Sequence, residues 1–360
     1  MGFGKMTLSA DDIEAWQKII PHFKRNNDSV DKMLDYLHHL TELSIVNQKE
    51  LALPECFDLL KNLQSLHIDE CKFTELPNSI GKLHNLQKLH IEECHHLTTL
   101  PDSIGDLKNL QFLRINSCRN FEKFPDSIGK LEKLQELELR WMKKIKTLPA
   151  TIGKLKNLHT LIFAGDKSGL VELPQEIGDL QQLTVLNLSS CEKLNTLPER
   201  IGDLKNLKKL DLCFCSKLKT LPESIGKLEN LEELDCAYCE KKLATLPEHI
   251  GDLKKLKILK LTGCNKLKTL PESISNLENL EELDCRFCDT LTMLPERICH
   301  LTKLSRLKVT RRYVEPMGKI ENVGEIGFVC HEPYELSFSG SDNQTAEARE
   351  KLVQLKYLTK

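Results

Sequence analysis

Two Cys-x-x-Cys pairs, Cys236 with Cys239 and Cys285 with Cys288, are the first residues to invite chemistry. Thiolates at that spacing hold zinc or exchange disulfides. A second constellation is His67 and His90, set among Asp69, Glu70, Glu92 and Glu93. Two imidazoles with carboxylates at hand suit a divalent metal or a pH-sensitive contact. The third set is Arg140, Trp141, Ile162, Asp211, Phe214, Asp235, Tyr238, Asp284, Arg286 and Phe287. Rings beside fixed charges are what the centre of a protein interface tends to contain.

What these residues can do depends on where the chain puts them, and they recur at fixed intervals. Leu40, Leu63, Leu86, Leu110, Leu134, Leu158, Leu183, Leu207, Leu231, Leu256, Leu280 and Leu304 follow one another every 23 to 25 residues. Each opens a unit that reads L-x-x-L-x-L-x-x-C and continues into L-P-x-x-I-G, as in Leu231 to Gly251. The alternating apolar residues of the first half predict a short strand with one buried face. The proline and glycine of the second half predict a turn-and-helix return whose Ile and Leu point back into the core.

This frame reassigns the cysteines. Cys71, Cys94, Cys118, Cys191, Cys215, Cys239, Cys264 and Cys288 all hold the ninth position of a unit, which reads as a small buried hydrophobe with a weak S–H donor. Disulfide pairing up the stack is the other reading, since neighbouring units lie about 4.8 Å apart. The two Cys-x-x-Cys pairs are two units apart, about 10 Å, too far for one tetrahedral ion. They also lie along a strand rather than opening a helix, against a thioredoxin-like role. Outward positions are the third, fifth, seventh and eighth. The eighth carries Trp141, Phe214, Tyr238 and Phe287, and the fifth carries Glu138, Ile162, Asn187, Asp211, Asp235, Lys260 and Asp284. Either these form a partner-binding surface, or the rings shield the strand edge and the acids are simply solvated. His67 and His90 hold equivalent fifth positions, where ordinary surface chemistry outweighs the metal reading.

The repeated unit resembles the leucine-rich repeat, from Leu40 to about Val314. Its LPxxIGxL half is similar to the plant intracellular Ras-group and disease-resistance repeats, and to arrays in bacterial effectors delivered into host cells. The resemblance implies an α/β fold: a curved right-handed solenoid with a parallel sheet on its concave face, used to bind proteins. A small GTPase or the ubiquitin machinery are the partners it suggests. Residues 1–39 are expected to form a helical N-terminal cap, with Ser9 capping one helix and Asp28 or Ser29 a second. Residues 315–360 are expected to form a C-terminal cap, strand-like at GEIGFVC and YELSFSG and helical at TAEAREKLVQLKYL. A partner-binding hairpin at one end and a separate functional tail at the other are the alternatives. Met142 and Asp166 replace the ninth-position cysteine, and KSGL lengthens the second of those units, so the array is expected to be irregular there.

Bulk properties remove several function classes. The 51 basic and 53 acidic residues nearly cancel, which argues against nucleic acid as a partner. No apolar run approaches the roughly 18 residues of a membrane span, and the N-terminus lacks the apolar core of a signal peptide. A cytoplasmic, reducing compartment is expected, or the host-cell cytosol for an effector. No phosphate-binding G-x-x-x-x-G-K-[ST] is present, no cofactor is implied, and the flanks are too short for a nucleotide switch or a ligase domain. The expectation is a non-enzymatic scaffold that binds a protein on the concave face. The alternatives are a microbial effector or ubiquitin-ligase adaptor, and a Ras-like GTPase signalling adaptor.

Overall fold

A computed structural model describes residues 8–20, 29–48, 53–292, 294–309 and 334–337. GEIGFVC and TAEAREKLVQLKYL lie outside the described residues. Two helices come first, α1 (Ala10–Ile19) and α2 (Val30–His39). Ser9 and Ser29 cap them, each hydroxyl accepting the N–H three residues on. Trp16 is fully buried, meets Phe57 edge-on at 5.8 Å between ring centres, and donates its indole N–H to the Cys56 sulfur at 3.1 Å.

Thereafter each repeat contributes one strand and one return. The chain divides into two compact units, Met1–Leu161 and Ile162–Lys360. Unit 1 holds β1 (Glu42–Val46), β2 (Ser65–Asp69), β3 (Lys88–Glu92), β4 (Phe112–Asn116) and β5 (Glu136–Arg140); β6 (Thr160–Ala164) contains the boundary. Unit 2 holds β7 (Val185–Asn187), β8 (Lys209–Asp211), β9 (Glu233–Asp235), β10 (Ile258–Lys260), β11 (Glu282–Cys285) and β12 (Arg306–Val309). Within each unit, consecutive strands pair in parallel and in register, so that Leu66 lies beside Leu89 and Leu89 beside Leu113. Leu210, Leu234 and Leu259 repeat the arrangement in unit 2. The last strand, β13 (Tyr334–Ser337), runs antiparallel to β12.

The turn-and-helix returns that the spacing suggests are short 3-10 helices. Pro101 precedes the turn Asp102–Asp106, and its carbonyl accepts the Ile104 N–H at 3.0 Å. With three residues per turn, residues three apart share a face, so Ile104 and Leu107 both enter the core and are fully buried. The glycine that follows the isoleucine answers to the next repeat. A methyl group on Gly105 would stand 2.5 Å from the Ser127 carbonyl oxygen, and one on Gly81 would meet Ser103 at the same distance. Ser275 replaces this glycine late in the array, and the same register places Arg297 opposite it. Arg297, at φ −89° and ψ 15°, departs from helical geometry within its own turn.

Between return and strand, asparagine fastens each repeat to the one before. Asn62, Asn85, Asn109, Asn157, Asn206, Asn230 and Asn279 each donate a carboxamide N–H, at 2.6–2.8 Å, to a backbone carbonyl one repeat earlier. Where lysine takes that place, at Lys133, Lys255 and Lys303, its ammonium reaches back to the carboxamide oxygen of the preceding asparagine.

Gly105→Ala is expected to destabilise the protein by about 2 kcal/mol, in the range of overpacked cores, despite alanine's lower chain entropy. Urea unfolding followed by circular dichroism measures it, and an unchanged midpoint would contradict the close approach.

Candidate functional site

The thiols that opened the question are consumed inside the fold. Cys236, Cys239, Cys285 and Cys288 are buried, and none of the four is in a disulfide. Burial drives Cys236 and Cys285 well above the ordinary thiol range and Cys239 up to about 12. A group that stays protonated is neither nucleophile nor ligand. Its use is as a donor. Cys191, Cys215, Cys239, Cys264 and Cys288 give their S–H to the sixth-position carbonyl of the preceding repeat, at 3.0–3.4 Å.

Why that carbonyl is open follows from the fifth position. In unit 1 the ladder continues to the seventh residue, as in Asp69 beside Glu92 and Asn116 beside Arg140. In unit 2, β7 to β10 stop at the fifth. On β7, β8 and β9, Asn187, Asp211 and Asp235 turn a side-chain oxygen onto the N–H two residues later, as Asp284 does on β11, at 2.9–3.1 Å. Such local bonds compete with sheet pairing. The seventh-position N–H leaves the ladder, the preceding repeat's carbonyl loses its donor, and the ninth-position thiol takes its place. In unit 1, Cys71 and Cys118 bond the carbonyl of their own seventh residue, and Cys71 also reaches the sixth-position carbonyl of Ile45 at a longer 3.6 Å.

The expected acidic surface is therefore mostly committed. Asp284 is 3% exposed and held by the Arg286 guanidinium at 2.6 Å. Its burial alone would raise its pKa, but Arg286 and the backbone N–H outweigh it and hold it below the carboxylate range. Glu233 is clasped by Lys209 at 3.0 Å and Lys260 at 2.9 Å, and Lys260 also meets Asp235 at 3.2 Å. Glu282 takes Arg306 and Lys308. Asp211 alone among these strand-face acids of unit 2 has no ion pair with a described residue. Burial, with Asp235 and Glu233 nearby, raises its pKa. In unit 1 the Arg140 guanidinium is spent on Glu138, which Arg114 holds from the other side at 2.9 Å.

The eighth position proves to be a bend, not the end of a strand. Trp141, Phe214, Tyr238 and Phe287 have φ of 56°, 60°, 57° and 55°, in the left-handed region that costs a side chain about 1 kcal/mol or more. Glu70, Glu93, Ser117 and Ser190 occupy the same region, as do Gly165 and Gly263. The bend lifts the rings outward: in unit 1 Trp141 is 45% exposed, and in unit 2 Phe214 and Phe287 are 48% and 44% exposed. Phe214 and Tyr238 stack at 4.7 Å with a 4° interplanar angle. Tyr238 in turn lies across Gly263, where an added methyl would stand 2.6 Å from its ring. Ile162, on β6 and fifth in the repeat opened by Leu158, is half-buried.

His67 and His90 do adjoin, edge to face at 6.4 Å between ring centres. Arg114 is the register partner of His90 on the next strand. Burial first, then Arg114 and His67, lowers the His90 pKa, and the same arginine opposes a cation there. Among the described residues no group of three or more potential ligands converges on a metal position. No helix among them is long and apolar enough to cross a membrane.

Opposite stability signs are expected for Asp211→Asn and Asp284→Asn. Asp211 titrates above its unfolded value of about 3.9, so its ionisation costs stability as pH rises through the folded pKa. Asparagine keeps the turn bond, as Asn187 does, and is expected to raise the thermal midpoint at pH 7 by about 2 °C, with no gain below pH 3.5. Asp284 titrates below its unfolded value, so its contribution is present above about pH 4 and lost as pH falls through the folded pKa. Asp284→Asn is expected to cost about 2 kcal/mol at pH 7. Calorimetry and urea unfolding from pH 3 to 8 test both, and shifts of the same sign at pH 7 would refute the difference.

The sequence matches the description leucine-rich repeat region over residues 22–143, 165–262 and 234–359. A comparison with curated proteins finds no match. Among solved structures, the chain is similar to the leucine-rich repeat domain of the type III effector XopL, at 26% identity and TM-score 0.58, over 72% of this chain and 98% of that one. A Leptospira interrogans leucine-rich repeat protein shares 29% identity at TM-score 0.48, over 78% of this chain and 86% of that one. A chain of the Drosophila Toll–Spatzle complex shares 21% identity at TM-score 0.57, over 78% and 40%. One strand and one 3-10 return per repeat, together with a family match over most of its length, establish that this chain belongs to the leucine-rich repeat family.

Proposed function

We propose that this chain is a non-enzymatic protein-interaction scaffold, and that its partner lies on the outward strand face of unit 2, over Asp211, Phe214, Tyr238 and Phe287. The observation that carries this reading is the set of rings held outward on left-handed bends. Exposed aromatics are uncommon on a chain with only 5% aromatic residues, and here each also bears backbone strain. Asp235, Asp284 and Arg286 act as the fixed floor beneath them rather than as free contacts. On unit 1, Trp141 is exposed beside the half-buried Arg140. Buried, unpaired thiols suit the reducing conditions of a cytosol.

A second reading, a microbial effector or ubiquitin-ligase adaptor acting in a host cytosol, draws support from the similarity to the XopL repeat domain. It uses the same surface and differs in whose protein occupies it.

The triple variant Phe214→Ala, Tyr238→Ala, Phe287→Ala is expected to retain the wild-type circular dichroism spectrum and to lose at least about tenfold in partner capture, as removal of interface anchors does. Quantitative affinity capture from cytosolic lysate, with GDP- and GTP-analogue-loaded arms to reveal a small GTPase, measures it. Identical capture by both proteins would overturn the strand-face reading.

A further inference from the structure

The strand face of unit 2 is electrically self-contained except at one place. Glu233, Asp235, Glu282 and Asp284 each hold a lysine or arginine of this chain within 3.2 Å. Asp211 holds none among the described residues. One of its oxygens, Oδ1, accepts the Cys213 N–H at 3.0 Å, and Oδ2 has no hydrogen-bond partner among the described residues. Lys209, two residues away on the same strand, is engaged with Glu233. Asp235, the register partner of Asp211 on β9, adds a second negative charge alongside. A half-buried carboxylate in this setting lacks the countercharge that its neighbours have.

The surroundings specify which cation would suit it. Phe214, three residues on, is exposed and has one ring face covered by Tyr238 of the following repeat. The equivalent positions of the two preceding repeats are Ser190 and Gly165, which carry no ring to stack on its other face. A carboxylate oxygen without an ion pair and an exposed ring, three residues apart on one repeat, fit a planar guanidinium. Such a group forks onto carboxylate and stacks on aromatic rings, and it sheds its water more readily than an ammonium does.

Resting on the strand-face reading proposed above, we infer that the partner is a basic segment that presents an arginine to Asp211, with its guanidinium stacked on the face of Phe214 away from Tyr238. Asp211 then costs the free protein stability and supplies the bound complex with its central charge contact. The neutralised acids around it leave a second cation no equivalent place, which makes the contact selective.

The turn bond supplies a clean test, because Asn187 makes it with a carboxamide and Asp211→Asn therefore removes the charge while keeping the bend. A random linear twelve-residue peptide library is displayed and selected on the full-length wild-type chain. Arginine is expected at one enriched position. Replacing that arginine by glutamine in a synthetic peptide is expected to weaken binding at least tenfold on wild type and less than twofold on Asp211→Asn, by fluorescence anisotropy. Enrichment of lysine instead, arginine no more frequent than in the starting library, an empty selection, or an equal loss on both proteins each overturns the arginine assignment. Peptides indifferent to Asp211→Asn but lost on the triple aromatic variant leave the strand-face reading standing while this inference falls. Peptides that bind both variants as they bind wild type overturn the strand-face reading itself. Calorimetric melting of every variant confirms that each is folded.

Discussion

Consecutive repeats must bring their backbones within hydrogen-bonding reach on the strand side and on the return side alike. That requirement selects the residues at nearly every inward position. Glycine follows isoleucine because the next turn's carbonyl occupies the space of a side chain. Asparagine precedes seven of the twelve opening leucines because a carboxamide reaches a carbonyl that the turn leaves bare. Cysteine closes the strand because a thiol is small enough to be buried and still donates. Buried peptide groups must be paired, and each of these residues completes that pairing where the ladder and the turns do not.

Much of this could be read in the letters, because a period of 23 to 25 residues aligns every position with its counterpart. The aliphatic core, the buried role of the cysteines and the outward rings all came from that alignment. The fate of the acids did not. Asp211, Asp235 and Asp284 look like solvated charges when read by charge alone, yet Asn187 stands at the same position. Interchange of Asp with Asn is the mark of a side-chain acceptor for backbone N–H, and it was available in the sequence. The bend at the eighth position was also hidden, since only Gly165 and Gly263 advertise a positive φ and the other residues there do not. The returns were expected as turn and helix without their type, and the 3-10 form suits their length, since only five residues lie between the proline and the inward leucine.

The division between long and short strands carries into function. In unit 1 the side chains of five residues per strand stand on a regular ladder, and their charges meet across it, as Arg114, Glu138 and Arg140 do. In unit 2 the ladder stops early, the chain turns on a carboxylate, and the residue after the turn is thrown outward. A ring at that place becomes a displayed surface, and an acid at the fifth position becomes scaffolding. Among the described strand-face acids of unit 2, Asp211 alone does this without an ion pair. With 51 basic and 53 acidic residues, long-range steering contributes little, so the proposed recognition would rest on contacts made at close quarters.

Gly263 gives this display a hidden dependence. It touches no partner in the proposed scheme, carries no charge and has no side chain, yet the Tyr238 ring rests where its Cβ would be. Any substitution there evicts Tyr238, and with it the ring that backs Phe214, while leaving the leucine framework intact. In the natural variation of such a gene, a change at this glycine would present as lost recognition by a well-folded protein, and inheritance would point to a residue that makes no contact of its own.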